Sequence, residues 1–275
     1  MKLATYEYRG ETNVGVVQGE SIARVESAPD MLTLIEQGLA GMNISSEPVS
    51  LSQAKLLAPI PRPRKNVFAL GRNYAEHAKE SAAARGEPVA APAIFTKAPT
   101  TVNAPFGEIV VDPTVSTQVD WEVELAVIIG KRARKVSPSD ALNHVFGYTV
   151  LNDVTARDLQ NRTSQFFVGK SIDGYCPMGP WIVTVDEIPN PQHLNLKCSV
   201  NGVVKQTGNT SDMIYTVAFV LADLSRTMTL EPGDILTTGT PAGVGYARKP
   251  PEFLKPGDVL ESEIDQIGVM RNPVV

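Results

Sequence analysis

Residues 120–130 constrain the fold of this chain more than any other stretch. They read DWEVELAVIIG, and the run 123–129 is short, rich in Val and Ile and closed by Gly130, which is typical of a buried strand. Because side chains alternate faces along a strand, Glu122 and Glu124 share one face. Burying two carboxylates is costly unless a cation or hydrogen bonds compensate. The pair therefore predicts either a hard divalent ion such as Mg²⁺, or a solvated strand edge with Arg or Lys partners.

Bulk composition excludes several classes of protein. The 275 residues are 43% hydrophobic and 20% charged, as in a soluble globular protein with one large domain or one domain plus a small one. A net charge of −5 gives no reason to expect nucleic acid or an anionic membrane as partner. No signal peptide or membrane-spanning run is recognisable, so the expected location is cytoplasmic. The two cysteines, Cys176 and Cys198, lack the spacing of a disulfide scaffold or a thiolate zinc site.

Residues 1–60 are expected to form a small N-terminal domain. The short alternating runs 3–8, 12–17 and 21–25 predict a meander of strands, and 31–39 has helical apolar spacing. A proline-rich connector at 59–63 then leads into the larger domain, 64–275. Nothing in the first part is typical of a catalytic constellation, so packing, lid support or subunit contact is its expected role.

A strand at 66–71 precedes an Ala-rich helix that carries a histidine and a glutamate. His77 and Glu80 lie three residues apart, hence on one helix face and within reach of each other. A carboxylate beside an imidazole raises its basicity and fixes its tautomer, as a general base acting on water requires. The alternative is an ordinary surface pair. Residues 86–92, rich in Ala and Pro, are expected to be mobile, as a lid would be.

Further strands are predicted at 93–97, 109–111 and 146–152, with a helix at 137–145 that begins at Ser137 as N-cap. The strand 146–152 ends in a polar cluster. In that cluster Asp153 is placed either to give a third carboxylate to an ion or to end the strand in a turn, and Asp158 either to bond Arg157 or to organise the turn.

The last third of the chain offers a lysine and a small-residue loop. Lys170 lies in a tight, apolar-flanked turn, where it is either a charge partner for an anion or an ordinary exposed lysine. Asn201-Gly202 between alternating runs predicts a hairpin, and 213–224 predicts a helix. A strand then enters the loop 238–245, where either the backbone N–H groups hold a carboxylate or the glycines serve turns only.

Taken in order, six blocks resemble the fumarylacetoacetate hydrolase superfamily over roughly residues 64 to 270. Each block is a weak signal alone, but their order and spacing together are specific. The blocks are Gly71-Arg72-Asn73-Tyr74 with His77 and Glu80, Glu122-Val123-Glu124-Leu125, Asn152-Asp153-Val154-Thr155-Ala156-Arg157-Asp158, Gly169-Lys170-Ser171, Cys176-Pro177-Met178-Gly179-Pro180, and Thr238-Gly239-Thr240-Pro241-Ala242-Gly243-Val244-Gly245.

The resemblance implies a mainly β fold with helices (α+β), a mixed β-sandwich roll that usually forms a homodimer with a variable N-terminal domain. It also implies that Mg²⁺ or Mn²⁺ is held by Glu122, Glu124 and Asp153. In the same way it implies a catalytic role for His77, Glu80 and Lys170. Substrate binding is implied for a further set, which comprises Arg72, Tyr74, Gln160, Gly239 and Thr240.

The chemistry implied by the resemblance is the cleavage of 2-oxo acids. The leading hypothesis is hydrolysis of the C–C bond of an acylpyruvate such as fumarylpyruvate, with a water activated by His77 and Glu80. The alternative is a decarboxylase or isomerase of a 2-oxo dioate, such as oxaloacetate or a 2-hydroxyhepta-2,4-diene-1,7-dioate. Two rivals remain: a non-catalytic metal-binding dimer, which loss of the base or of a metal carboxylate would mark, and a metal-free carboxylate hydrolase, which EDTA would not inhibit.

Overall fold

The computed structural model describes residues 1–86, 88 and 92–275. The lid predicted at 86–92 therefore lies largely outside the described residues. Five α-helices are present among those described. They are α1 Met31–Gln37, α2 Ala75–Arg85, α3 Arg157–Gln160, α4 Phe167–Lys170 and α5 Val217–Thr227.

Strands dominate the fold. They are β1 Lys2–Tyr8, β2 Glu11–Gln18, β3 Ser21–Arg24, β4 Val49–Ser50, β5 Lys55–Leu56, β6 Val67–Gly71, β7 Ala93–Lys97, β8 Val102–Asn103, β9 Val119–Asp120, β10 Val123–Ile129, β11 Val145–Asn152, β12 Thr155–Ala156, β13 Cys176–Thr184, β14 Asn195–Val200, β15 Val203–Asn209, β16 Ile235–Thr237, β17 Val259–Ile264 and β18 Gly268–Pro273. The main sheet has the order β4-β3-β2-β1-β13-β11-β10-β16-β6-β7, with β5 beside β1 and β8 beside β13. A second sheet has the order β15-β14-β17-β18, and β9 pairs with β12. The predicted mainly β fold with helices is confirmed.

Strand β10 runs through the centre of the molecule and is buried along its whole length. Its odd-numbered residues, such as Val123 and Val127, belong to one apolar core, which also contains residues of the second sheet. Ala126 and Ile128 face a second core on the opposite side. Because both faces are covered, the strand reads as a continuous apolar run rather than an alternating one.

The predicted strands and helix of residues 1–60 are present as β1, β2, β3 and α1. Strand β1 pairs with β13, which places Lys2 opposite Val183 and joins the N-terminal strands to the main sheet. The second core also continues across residue 60, because Met31 and Leu34 of α1 pack in the same cluster as residues of β10 and β11. The main sheet and the second core are thus continuous across residues 60–64. The domain boundary at this position stays a prediction.

Of the other predicted elements, some are confirmed and some are wrong. The Asn201-Gly202 hairpin is confirmed, with both residues at positive φ (52° and 76°), as a two-residue hairpin turn requires. The strand predicted at 109–111 is wrong: Ile109 makes a single bridge to Val274. The helix predicted at 213–224 begins only at Val217, where the Thr216 hydroxyl caps it by accepting the Phe219 N–H. Within the described ranges, no helix is both long and apolar enough to cross a membrane.

The helix predicted at 137–145 is also wrong, because only a short 3₁₀ turn, Ala141–His144, forms there. Ser137 therefore does not cap an α-helix. The cause lies in the backbone: the His144 carbonyl accepts the Gly130 N–H over 2.7 Å and the Lys131 N–H over 3.2 Å. Those contacts start β11 at once and leave no room for further helical turns.

Candidate active site

The register of two neighbouring strands brings three carboxylates together. β10 and β11 are antiparallel with Val123 opposite Asn152, so Glu122 lies beside Asp153, whose N–H donates to the Glu122 carbonyl over 2.8 Å. Glu124 lies two residues further along β10. One ligand oxygen from each carboxylate lies within 4.8 Å of the others, and all three residues are buried. The structure thus brings together the acidic triad, meaning Glu122, Glu124 and Asp153, that was predicted to bind a metal.

Two buried lysines contact this triad. The Lys170 ammonium lies 2.7 Å from Glu122 Oε2 and 2.6 Å from Asp153 Oδ2. Lys97, which is fully buried, donates to Asp153 Oδ1 over 2.7 Å and to the carbonyls of Val154 and Lys170 over 3.2 and 2.6 Å. Lys97 was not predicted. Its only sequence signal is a lysine at the end of a strand, more than 50 positions from its partner.

Lys170 reaches the triad because two short helices pack closely. Its neighbour Gly169 faces α3, where a Cβ atom would lie 2.4 Å from the Gln160 backbone nitrogen. Only glycine fits this approach, which seats Gln160 and Lys170 on the same pocket. The expectation of an ordinary exposed lysine is therefore wrong.

A buried guanidinium completes the charge balance on the other side. Arg157 lies 2.6 Å from Glu122 Oε1 and 2.8 Å from Asp120 Oδ2. Asp158 does not share this role: it accepts the Ser116 hydroxyl over 2.6 Å and the Leu159 N–H over 2.9 Å. Asp158 therefore organises the turn, which decides between its two predicted roles.

The electrostatics of the triad fit a bound cation. Burial opposes ionisation of Glu122, but Lys170 and Arg157 lower the pKa of its carboxyl below the ordinary value. Burial raises the pKa of Glu124 well above its ordinary value, and the carboxylates of Asp153 and Glu122 add to the effect. A divalent ion would relieve that repulsion, and three carboxylate oxygens are ligands that hard cations prefer. The triad can therefore hold a metal ion.

The predicted base pair forms on α2. His77 Nδ1 lies 2.9 Å from Glu80 Oε1, and both oxygens of Glu80 accept the Gly243 N–H over 3.0 Å. An ionised carboxylate only accepts hydrogen bonds, so in the neutral imidazole Nδ1 carries the proton and Nε2 is the acceptor. The nearest polar contact of Nε2 is the Ser81 hydroxyl at 3.4 Å. His77 is 5% exposed, so this is not the surface pair offered as the alternative.

His77 lines the same pocket as two members of the triad; the space of this pocket, about 540 Å³, includes open solvent. Its wall includes His77, Glu122, Glu124 and Lys170 from the predicted catalytic and metal sets. Three of the predicted substrate-binding residues also lie in it, namely Arg72, Gln160 and Thr240. The wall further contains aromatic rings and an unpredicted arginine: Phe95, Phe166, Tyr246 and Arg85.

Tyr74 and Gly239, the other two residues of the predicted substrate-binding set, lie behind this wall. Tyr74 is buried, its hydroxyl has no hydrogen-bond partner among the described residues, and burial together with Glu124 raises its pKa. The Gly239 N–H donates to Glu124 Oε2 over 2.9 Å, and the Thr237 hydroxyl donates to the same oxygen. Direct contact of these two residues with a substrate stays a prediction.

The loop 238–246 holds carboxylates, as its glycines suggested, but they are the protein's own. Beyond Glu124 and Glu80, its N–H groups serve Asp120, which accepts from Gly245 over 2.7 Å and from Tyr246 over 3.0 Å. Backbone N–H groups of one loop thus hold three carboxylates in position. They belong to Glu124 of the triad, to Glu80, which orients His77, and to Asp120, the partner of Arg157.

His77, Glu122 and Glu124 line one pocket of a sheet-rich fold, and Glu80 and Asp153 bond to His77 and Glu122, an arrangement typical of an enzyme active site. Residues 66–275 match the family described as "Fumarylacetoacetate (FAA) hydrolase C-terminal". The chain belongs to the fumarylacetoacetate hydrolase family, as its sequence blocks indicated.

Three individual proteins of this family are similar to the chain over most of its length. The chain is 49% identical over 226 residues to oxaloacetate tautomerase YisK of Bacillus subtilis, covering 82% of this chain and 74% of the relative. It is 42% identical over 255 residues to the mitochondrial oxaloacetate tautomerase FAHD2A of Homo sapiens, covering 89% and 79%. The structure of a fumarylacetoacetate hydrolase from psychrophilic Exiguobacterium antarcticum superposes with a TM-score of 0.86 at 39% identity, covering 100% of this chain and 99% of the other.

Proposed function

We propose that this chain is an isomerase that interconverts the enol and keto forms of oxaloacetate or a closely similar 2-oxo dioate. Two relatives that are 49% and 42% identical carry the name oxaloacetate tautomerase. These comparisons favour the alternative hypothesis, an enzyme of 2-oxo dioates, over the acylpyruvate hydrolysis that the sequence placed first.

Tautomerisation demands less of a site than hydrolysis does. A proton moves between C3 of the substrate and the oxygen on C2, and no carbon–carbon bond breaks. The site must therefore offer a base that reaches C3 and positive charge near the C2 oxygen. A hydrolase needs, in addition, a water positioned to attack the distal carbonyl.

The observation that carries the proposal is the position of His77, which is bonded through Nδ1 to Glu80 and lines the same pocket as Glu122 and Glu124 of the triad. With Nδ1 bonded to Glu80, Nε2 of the neutral imidazole takes a proton from C3 and gives it to the oxygen on C2. In the reverse direction Nε2 takes the proton from that oxygen and returns it to C3. The Gly243 N–H keeps Glu80 in place during both steps.

The triad supports the second requirement of the reaction, which is positive charge near the C2 oxygen of the substrate. A divalent ion held by Glu122, Glu124 and Asp153 would supply Lewis-acid chemistry, polarising a substrate oxygen and favouring negative charge on it. We infer Mg²⁺ or Mn²⁺, because both accept carboxylate oxygens. Lys170 adds fixed positive charge at the same wall and holds Glu122 and Asp153 in position.

The test is the decay of enol-oxaloacetate, followed by its ultraviolet absorbance, with Mg²⁺ and then with EDTA. We expect the protein to accelerate the decay well beyond the buffer rate, EDTA to abolish the acceleration and added Mg²⁺ to restore it. A rate equal to that of buffer alone would refute the proposal.

Two reactions run beside this assay distinguish the alternatives. Pyruvate release from acetylpyruvate reports hydrolysis, which the Exiguobacterium relative favours by its name. Pyruvate release from oxaloacetate reports decarboxylation. If either proceeds faster than enol decay, the assignment moves to that reaction. The homodimer implied by the resemblance also stays a proposal, which the mass measured by light scattering would test.

A further inference from the structure

Two arginines in the pocket take no part in the chemistry proposed above. Arg72 and Arg85 both line the pocket and are only partly exposed. The Nε atom of each is buried and has no hydrogen-bond partner in the part of the chain that the structure describes. Among the described residues, no carboxylate lies within 4.0 Å of either guanidinium, unlike Arg157, which has two carboxylate partners. Shielded, unpaired donors of this kind are costly unless a ligand satisfies them.

The two guanidiniums converge from different elements. Arg72 follows β6 with φ at 61°, a left-handed conformation that is strained for a residue with a side chain. Arg85 comes from the last turn of α2. Their Cζ atoms lie 5.9 and 6.0 Å from the centre of the same ring, Phe166. Arg72 and Arg85 therefore both lie near the Phe166 ring, and Arg72 does so with a strained backbone.

The two arginines lie on the same wall as residues that contact the triad. The Tyr246 ring has Arg157, the partner of Glu122, at 4.3 Å and Arg85 at 5.7 Å from its centre. A second cavity of about 1070 Å³, which includes open solvent, shares Arg72, Arg85 and Tyr246 with the first. The arginines thus line both cavities, whereas Glu122 and Glu124 of the triad line only the first.

We propose that Arg72 and Arg85 bind the distal carboxylate of a 2-oxo dioate and that Arg85 determines specificity for substrates with two negative charges. The inference rests on the proposed function for the position of the substrate's other end, at the triad. Guanidinium groups suit this task because their planar N–H donors match a carboxylate. The competing explanation is that both arginines only pack against Phe166 and Tyr246 by cation–π contact.

The test compares two ligands that have the same number of carbon atoms. 2-Oxoglutarate ends in a carboxylate where 2-oxopentanoate ends in a methyl group, and binding of each is measured by titration calorimetry in Mg²⁺. Wild type is expected to bind the dioate about 10- to 100-fold more tightly, the effect of a charge-assisted hydrogen bond. Arg85→Met should lose most of that preference with unchanged affinity for the monoacid, and Arg85→Lys should keep part of it.

Lys79→Met is the matched control, because Lys79 lies on the same helix but is exposed and pairs with Glu76. It should leave both affinities unchanged. Equal binding of the two ligands by wild type, binding of neither, or an undiminished preference in Arg85→Met would each overturn the inference. A dioate preference that depends on Arg85, in a protein that does not tautomerise oxaloacetate, would refute the proposed function and leave the role of Arg85 standing.

Discussion

Replacing Lys97 by methionine would test how much the site depends on a buried cation behind the pocket. The Lys97 ammonium is fully buried and its nearest charged partner is Asp153, at 2.7 Å. Methionine keeps most of the side-chain volume but removes the charge and three hydrogen bonds. Asp153 would keep Lys170 as a partner at Oδ2 and lose its partner at Oδ1.

The expected loss of stability follows from this geometry. Removing one partner of a buried ion pair costs about 3–5 kcal/mol, and the lower end of this range applies because Asp153 keeps Lys170 as a partner. For a chain of this size, each kcal/mol corresponds to about 2–4 °C in Tm. Lys97→Met should therefore lower Tm by on the order of 10 °C.

The assay is urea and thermal unfolding in EDTA, so that metal binding does not add to the stability measured. Lys55→Met is the control: Lys55 is 71% exposed and lies 3.6 Å from Glu7, an exposed pair worth under about 1 kcal/mol. If Lys97→Met costs no more than this control, Asp153 does not need the Lys97 charge and the reasoning is refuted.

Four further predictions concern the base, the triad and the thiols. His77→Ala should lower kcat of the proposed reaction by about 10²-fold or more without changing Mn²⁺ affinity, and near-normal turnover would exclude His77 as the base. Glu124→Gln should weaken Mn²⁺ binding, followed by electron paramagnetic resonance, by at least about tenfold, since even outer partners of a metal ligand contribute that much. Because its pKa is raised in the fold, ionised Glu124 opposes folding, so metal-free protein should lose stability as pH rises above the ordinary glutamate range, and Glu124→Gln should reduce that loss. Burial raises the pKa of the Cys176 thiol to about 12 and also raises that of Cys198, so neither should react with a thiol reagent at neutral pH until the chain unfolds.

The sequence predicted the parts of the site that lie close together along the chain. The spacing of Glu122 and Glu124 places both on one side of β10, and the spacing of His77 and Glu80 makes a pair on one helix face. For the third carboxylate, Asp153, the residues alone left two roles open, and the family resemblance selected metal binding, because strand register is not visible in a spacing pattern.

What the sequence missed depends on contacts between distant elements. Lys97 contacts Asp153 across 56 positions, and its role is set by how β7 lies against the turn after β11. Arg85 is one more basic residue near a helix end until the fold places it beside Phe166. The helix predicted at 137–145 also fails because of a contact between distant elements. Capping residues are present, but the His144 carbonyl accepts hydrogen bonds from the N–H groups of Gly130 and Lys131.

The loop that donates N–H groups to carboxylates also has a consequence for chain length. The Gly239 N–H holds Glu124 and the Gly243 N–H holds Glu80, so the triad and the residue that orients the base are held by two glycines four positions apart in one loop. Each residue of an extended chain spans about 3.5 Å, comparable to the distances that separate productive from unproductive geometry. An insertion or deletion between these two glycines would displace the base from the triad even if every side chain of the site were retained. The number of residues in this loop is therefore under tighter constraint than the side chains it carries at the intervening positions.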